Sequence, residues 1–204
     1  MRRLLALAAV PLLAGCAVAA GRPETINISR ELPRALSAVT LRNPGFELAP
    51  RSPNSCAERW ECTAHADPSS FSFRVEGNQP PPEGKQSFCI DRVGKEPWAT
   101  VTQPVREAAA LHGTTLRLSM MLRLEGTTGE GAGPWVVLHG PSGRMLKHDQ
   151  KLLKSTTGWQ RVALDIEVVP ATEIVEIGAT LEGPGRACLD DVRLEVVKAA
   201  RGPV

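Results

Sequence analysis

One stretch constrains this chain more than any other. Residues 115–124 alternate without a break: Leu116, Leu118, Met120, Leu122 and Leu124 fall on one face, and Arg117, Ser119, Met121 and Arg123 on the other. Successive side chains of a strand point to opposite faces, so this period of two specifies a long strand with one side in a core. Shorter runs with strand character follow the same logic at residues 38–41, 71–75, 87–91, 98–105, 135–139, 144–147, 158–167, 173–181 and 187–197. Turn-forming groups separate them, among them Asn43-Pro44-Gly45, Gly140-Pro141-Ser142-Gly143 and Gly183-Pro184-Gly185. Residues 46–48 read as a brief return to strand, 50–67 as a loop, 126–133 as a flexible glycine-rich turn, and 107–112 as one helical turn. About ten short strands at this spacing, with almost no helix, imply an all-β, antiparallel β-sandwich over residues 37–198.

The final run carries an oddity. Val192, Leu194 and Val196 alternate with Asp191, Arg193 and Glu195, and the same parity puts Cys188 and Asp190 on the apolar face. An unpaired buried carboxylate is costly, so Asp190 requires a hydrogen-bonding partner or a metal, and Cys188 a disulfide.

The amino terminus supplies an address. Met1-Arg2-Arg3 is a short basic region, residues 4–13 are an apolar run, and Leu13-Ala14-Gly15-Cys16 follows at once. The run is too short for a membrane-spanning helix and has the length of a signal-peptide core. It resembles the bacterial lipoprotein signal, whose lipobox has this Leu-Ala-Gly-Cys form. That resemblance implies removal of residues 1–15, acylation of Cys16, a tether over residues 16–36 and membrane attachment through lipid. Ala17 is not an aspartate, so the expected place is the cell envelope, at the outer membrane. Residues 199–204 form a short tail.

Four cysteines remain, and an even number in an exported chain reads as two disulfides. Three pairings are open; the expected one is Cys56–Cys62, closing a short loop, with Cys89–Cys188 joining two strands. A net charge of +2 leaves no nucleic-acid footprint. Catalysis finds little support. His139-Gly140-Pro141-Ser142-Gly143 lacks the spacing of a hydrolase elbow, and Gly84-Lys85 is followed by Gln86 where a phosphate loop needs Ser or Thr. Histidines 65, 112, 139 and 148 form no metal-ligand pattern.

A family resemblance emerges from the order of several short pieces. These are Asn43-Pro44-Gly45-Phe46-Glu47, Trp60, Gly84-Lys85-Gln86-Ser87, residues 98–105, residues 116–119, Gly158-Trp159-Gln160-Arg161-Val162 and residues 189–194. Together they resemble the galactose-binding-like jelly roll of carbohydrate-binding modules in families four, nine and twenty-two. The resemblance implies a glycan ligand and a structural Ca²⁺ held by Glu47 and Asp190, with carbonyl oxygens near Asn43 and Lys85. Ca²⁺ accepts such an oxygen-only set.

If the long strands build one sheet, alternation names its outer face: Arg117, Ser119, Met121 and Arg123; Trp135, Val137 and His139; Trp159 and Arg161; Glu176, Gly178 and Thr180. Tryptophan faces stack on sugar C–H groups, and charged or amide groups bond hydroxyls. The candidate ligand-binding residues are therefore Trp135, His139, Arg117, Arg123, Trp159 and Arg161, with Trp60 and Trp98 assigned to packing. The expectation is a non-catalytic, lipid-anchored glycan binder. The alternative is a structural or protein-interaction lipoprotein of the envelope, favoured by the absence of tyrosine.

Overall fold

The computed structural model describes residues 35–200 except 49, 51, 53, 54, 80 and 107. The signal segment 1–15, Cys16, the tether up to residue 34 and residues 201–204 lie outside the described residues. The described chain runs through β1 (Ser37–Val39), β2 (Glu61–Ala64), β3 (Phe71–Glu76), β4 (Ser87–Arg92), β5 (Trp98–Val105), β6 (Thr115–His139), β7 (Met145–Gln150), β8 (Leu153–Glu167), β9 (Ile174–Glu182) and β10 (Arg186–Lys198). Short 3-10 turns stand at Pro68–Ser70, Ala108–Leu111 and Pro141–Gly143.

Every pairing is antiparallel, and β6 organises the whole. Its first half pairs with β10 on one side and β8 on the other; its second half pairs with β9 and β7. The result is two leaves sharing one strand. The front leaf runs β3-β4-β10-β6-β8, with β1 also on β10; the back leaf runs β2-β5-β9-β6-β7. Leu116, Leu118, Met120, Leu122 and Leu124 of the front leaf are fully buried, as are Val136, Leu138, Val101, Ile177 and Leu181 of the back leaf. Each such side chain contributes roughly 1.5–3 kcal/mol of burial free energy, so the alternation of β6 specifies both leaves' facing surfaces.

Local readings changed in three places. Residues 126–133 are not a free turn: β6 continues through them, with its pairing to β8 shifting register between Leu124 and Ala132. Gly126, Gly129 and Gly131 take positive φ there, and a strand can bend at such irregularities. Part of the expected loop at 50–67 is β2, which pairs Glu61–Ala64 against Thr102–Ala99. Residues 46–48 do not form a strand; Asn43 and Phe46 take φ of 49° and 53°. That turn drives the Phe46 ring into the core, 5.2 Å from Trp60 and 5.4 Å from Phe88. Trp60 is buried, and its indole N–H donates to the Asn43 carbonyl at 3.0 Å.

The oddity of the last strand is also corrected. β10 carries a bulge: Asp190 pairs with Met121 but Arg193 pairs with Ser119, and Asp191 has φ of 45°. One extra residue reverses the parity on its far side. Ala187 and Leu189 therefore share the inward face with Val192, Leu194 and Val196. Cys188 and Asp190 lie on the outward one, opposite Arg123 and Met121. Both expected disulfides are present, Cys56–Cys62 and Cys89–Cys188.

Candidate ligand face and cation site

The candidate residues do not share one surface. Arg117, Arg123, Trp159 and Arg161 project from the front leaf, and Trp135 and His139 from the back leaf, because β6 passes from one to the other. The two groups face away from each other across the core.

On the front leaf the arginines are already engaged. Arg117 grips Asp165 through Nε and one terminal nitrogen, each at 2.6 Å, and this bond raises its pKa further. Arg161 pairs with the Asp191 carboxylate and also donates to the Asp191 carbonyl at 3.2 Å. Arg193 donates to the same carboxylate at 2.9 Å. Arg123 pairs with Glu125, donates to Cys188 Sγ at 3.3 Å and lies 5.5 Å from the Trp159 ring centroid. Burial lowers the Arg123 pKa. Arg74, Glu76, Asp91 and Arg186 extend the pattern towards β3. Trp159 covers a guanidinium, and Arg117, Arg123 and Arg161 are held by carboxylates. This face is a lattice of ion pairs over the Cys89–Cys188 disulfide.

The back leaf is different. Trp135 is half-buried and sits in register beside Gly178, with Thr102 on the next strand. Gly178 cannot be replaced without a clash, since a Cβ there would meet the Val101 carbonyl oxygen at 1.9 Å. Thr100, Thr102 and Thr180 of the neighbouring strands are short and buried. His148 of β7 closes the other side, its ring 5.7 Å from Trp135 and tilted by 56°. Four residues along β6, His139 Nε2 meets Glu176 Oε2 at 2.7 Å, and both side chains remain partly accessible. An aromatic ring, an imidazole–carboxylate pair and a second imidazole thus line one outer surface. His148 was missed in the sequence because the hairpin strand was ended at residue 147. Continuing it to Gln150 would have found His148 opposite Val137.

The third arrangement lies where β10 bulges. Asp190 is 1% exposed, and its Oδ1 has no hydrogen-bond partner. Burial pushes its pKa up to about 7; the charges of Asp191, Glu47 and Glu83 push the same way against a backbone hydrogen bond from Asp191. The opening turn covers it: the Val192 N–H donates to the Pro44 carbonyl at 3.0 Å, and a Cβ on Gly45 would stand 3.6 Å from Asp190 Oδ1. Glu47 Oε1 accepts from the Lys85 and Gln86 N–H groups at 2.7 and 3.1 Å. Gly84 has φ of +74°, and a Cβ there would meet Glu47 Oε1 at 2.2 Å. Among the described residues no cluster of three or more His, Cys, Asp or Glu side chains is placed to hold a metal. The side-chain donors here are two carboxylates, and Asp190 Oδ1 is orphaned among negative neighbours. That set fits a hard, oxygen-seeking cation and not zinc.

No protein-family model matches the chain, and no curated protein matches it. Solved structures do. The CBM22-1 xylan-binding domain from Paenibacillus barcinonensis Xyn10C superposes with a TM-score of 0.54 at 16% identity, over 82% of this chain and 97% of that one. The C-terminal family 22 carbohydrate-binding module of Clostridium thermocellum Xyn10B gives 0.53 at 12% identity, over 78% and 94%. The enzymatically active domain of bacteriophage CBA120 tailspike protein 4 gives 0.53 at 14% identity, over 68% of this chain and 19% of that one. At these identities the likeness is one of fold: the chain is an antiparallel β-sandwich similar to those of carbohydrate-binding modules.

Proposed function

We propose that the protein is a non-catalytic glycan-binding module that uses the outer face of the back leaf. The observation that carries this reading is the half-buried Trp135 against His148, on the same outer face as the His139–Glu176 pair. The indole face would stack on the C–H side of a sugar ring. Glu176 would accept from hydroxyls while His139 holds its orientation. Arg117, Arg123, Trp159 and Arg161 serve the front leaf's ion lattice and make no ligand contact in this reading.

Glu47 and Asp190 would hold a structural Ca²⁺ with carbonyl oxygens of the opening turn. The ion would neutralise an otherwise unpaired carboxylate and fasten that turn to β10. Acylated at Cys16, the module would face the bacterial envelope, at the outer membrane. Calorimetric titration of a broad glycan panel, with Ca²⁺ present, tests the reading. Binding to at least one glycan, lost in Trp135→Ala, is the expected result; silence across the panel would leave the structural or protein-interaction lipoprotein in its place.

A further inference from the structure

A second surface has the character of a built site. Between the end of β5, the Ala108–Leu111 turn, residues 39–42 and residues 55–61 lies a cleft of about 1160 Å³. Small-ligand sites typically span roughly 300–1,000 Å³, so this one can take an extended ligand. Its apolar lining comes from Val39, Trp60, Val105 and Leu111. Arg42, Arg59 and Arg106 also line it, and all three are exposed.

These arginines differ from those of the front leaf. There every guanidinium named above has a carboxylate partner. Here, among the described residues, no hydrogen bond or ion pair engages the Arg42 or Arg106 side chain. Arg59 has only a 3.4 Å contact with Glu58. The backbone beneath two of them is fixed with care. Gln103 is buried, and its Oε1 accepts from the Arg42 N–H at 2.8 Å. Its Nε2 donates to the Arg42 carbonyl at 2.8 Å and to the Arg59 carbonyl at 3.1 Å. One buried amide thus clamps both arginine-bearing segments, and Arg59 is held at φ of 74°, a conformation costly for a residue with a side chain. Among the described residues no hydrogen bond or ion pair engages the side chain of Glu61, also on the cleft, and it offers an acceptor.

We propose that this cleft binds an acidic saccharide, a hexuronic-acid-bearing chain, separately from the Trp135 face. Guanidinium groups bond carboxylates through planar, charge-assisted pairs. The apolar lining suits the C–H face of a sugar ring, and Glu61 suits its hydroxyls. The preference for a carboxylate stands on the cleft alone; the saccharide class rests on the glycan-binding reading.

The test is calorimetric titration of a galacturonic acid trisaccharide and its methyl ester into the full chain, Arg42→Ala/Arg106→Ala and Trp135→Ala. The free acid is expected to bind about tenfold more tightly than the ester, the combined effect of two exposed charge pairs at roughly 0.7 kcal/mol each. The double arginine variant loses that preference, Arg42→Lys/Arg106→Lys recovers part of it, and Trp135→Ala keeps it. Thermal melts establish that the surface variants remain folded. Equal binding of acid and ester, no binding of the acid, or unchanged binding in the double alanine variant overturns the proposal. Equal competition by inorganic sulfate reduces the cleft to a simple anion site and also overturns it. Loss of binding in Trp135→Ala alone moves the ligand to the back leaf, keeping the glycan reading while this one fails. Acid binding that survives Trp135→Ala, with a silent neutral panel, upholds this proposal without the other.

Discussion

Cys89 and Cys188 stand directly opposite each other where β4 meets β10, and a disulfide joins them across a sequence separation of 99. In the chain-entropy account a loop of that length stabilises the fold by ~4.7 kcal/mol, against ~2.4 kcal/mol for a loop as short as that of Cys56–Cys62. Urea melts of Cys89→Ala/Cys188→Ala and Cys56→Ala/Cys62→Ala should therefore differ, with the first much the less stable. Equal midpoints would show that native packing, not chain closure, sets both contributions.

Asp190 makes stability depend on pH. Its folded pKa, about 7, lies above the ordinary value of 3.8, so the folded state binds this proton more tightly than the unfolded state. The contribution favours folding below about pH 4 and is lost as pH rises towards 7. In EDTA the melting temperature should fall across that window, and Asp190→Asn should flatten the fall. Added Ca²⁺ should raise stability most above pH 7, where the carboxylate is ionised. A melting temperature indifferent to EDTA and Ca²⁺ at pH 8 would remove the cation.

Gly84 offers an independent probe of the same corner. A Cβ there meets Glu47 Oε1 at 2.2 Å in a left-handed backbone. Gly84→Ala should cost about 1–3 kcal/mol, the range for strain held in such a conformation, and should weaken any Ca²⁺ response. A chemical melt of this variant with and without Ca²⁺ reads both effects.

The two outer faces are separable by mutation. Trp135→Ala should weaken glycan binding by about 2 kcal/mol, the usual size of an aromatic hot spot, with little change in melting temperature. Trp159→Ala should leave affinity unchanged and lower stability, because Trp159 covers Arg123. Affinity lost at Trp159 and kept at Trp135 would reverse the assignment of the face.

Asp165 holds a guanidinium that is almost fully buried. Arg117 is 6% exposed and has this carboxylate as its ion-pair partner. Asp165→Ala leaves a buried charge without its counter-ion and should destabilise the front leaf by about 3 kcal/mol, at the low end of the cost of breaking a buried pair because Asp165 itself is accessible. Replacing both residues by an apolar pair should restore most of the loss, as urea melts of the double variant would show.

Alternation along 115–124 and the turn residues were enough to give the sandwich and most of its strands, and of three possible cysteine pairings the expected one is present. These are local matters: a period of two and a glycine or proline act over a few residues. The faces were another matter. A single extra residue between Asp190 and Arg193 carried Cys188 and Asp190 outward, and no spacing rule announces a bulge. Arg123 and Trp135 lie on one strand, yet β6 changes leaf between them, so they look away from each other. The cleft at Arg42 and Arg106 is assembled from segments distant in sequence and held by one buried glutamine. The sequence by itself determined most of the strands and the even set of cysteines available to pair. The tertiary structure alone decided which residues share a surface, because that depends on register and on which leaf each half of β6 joins.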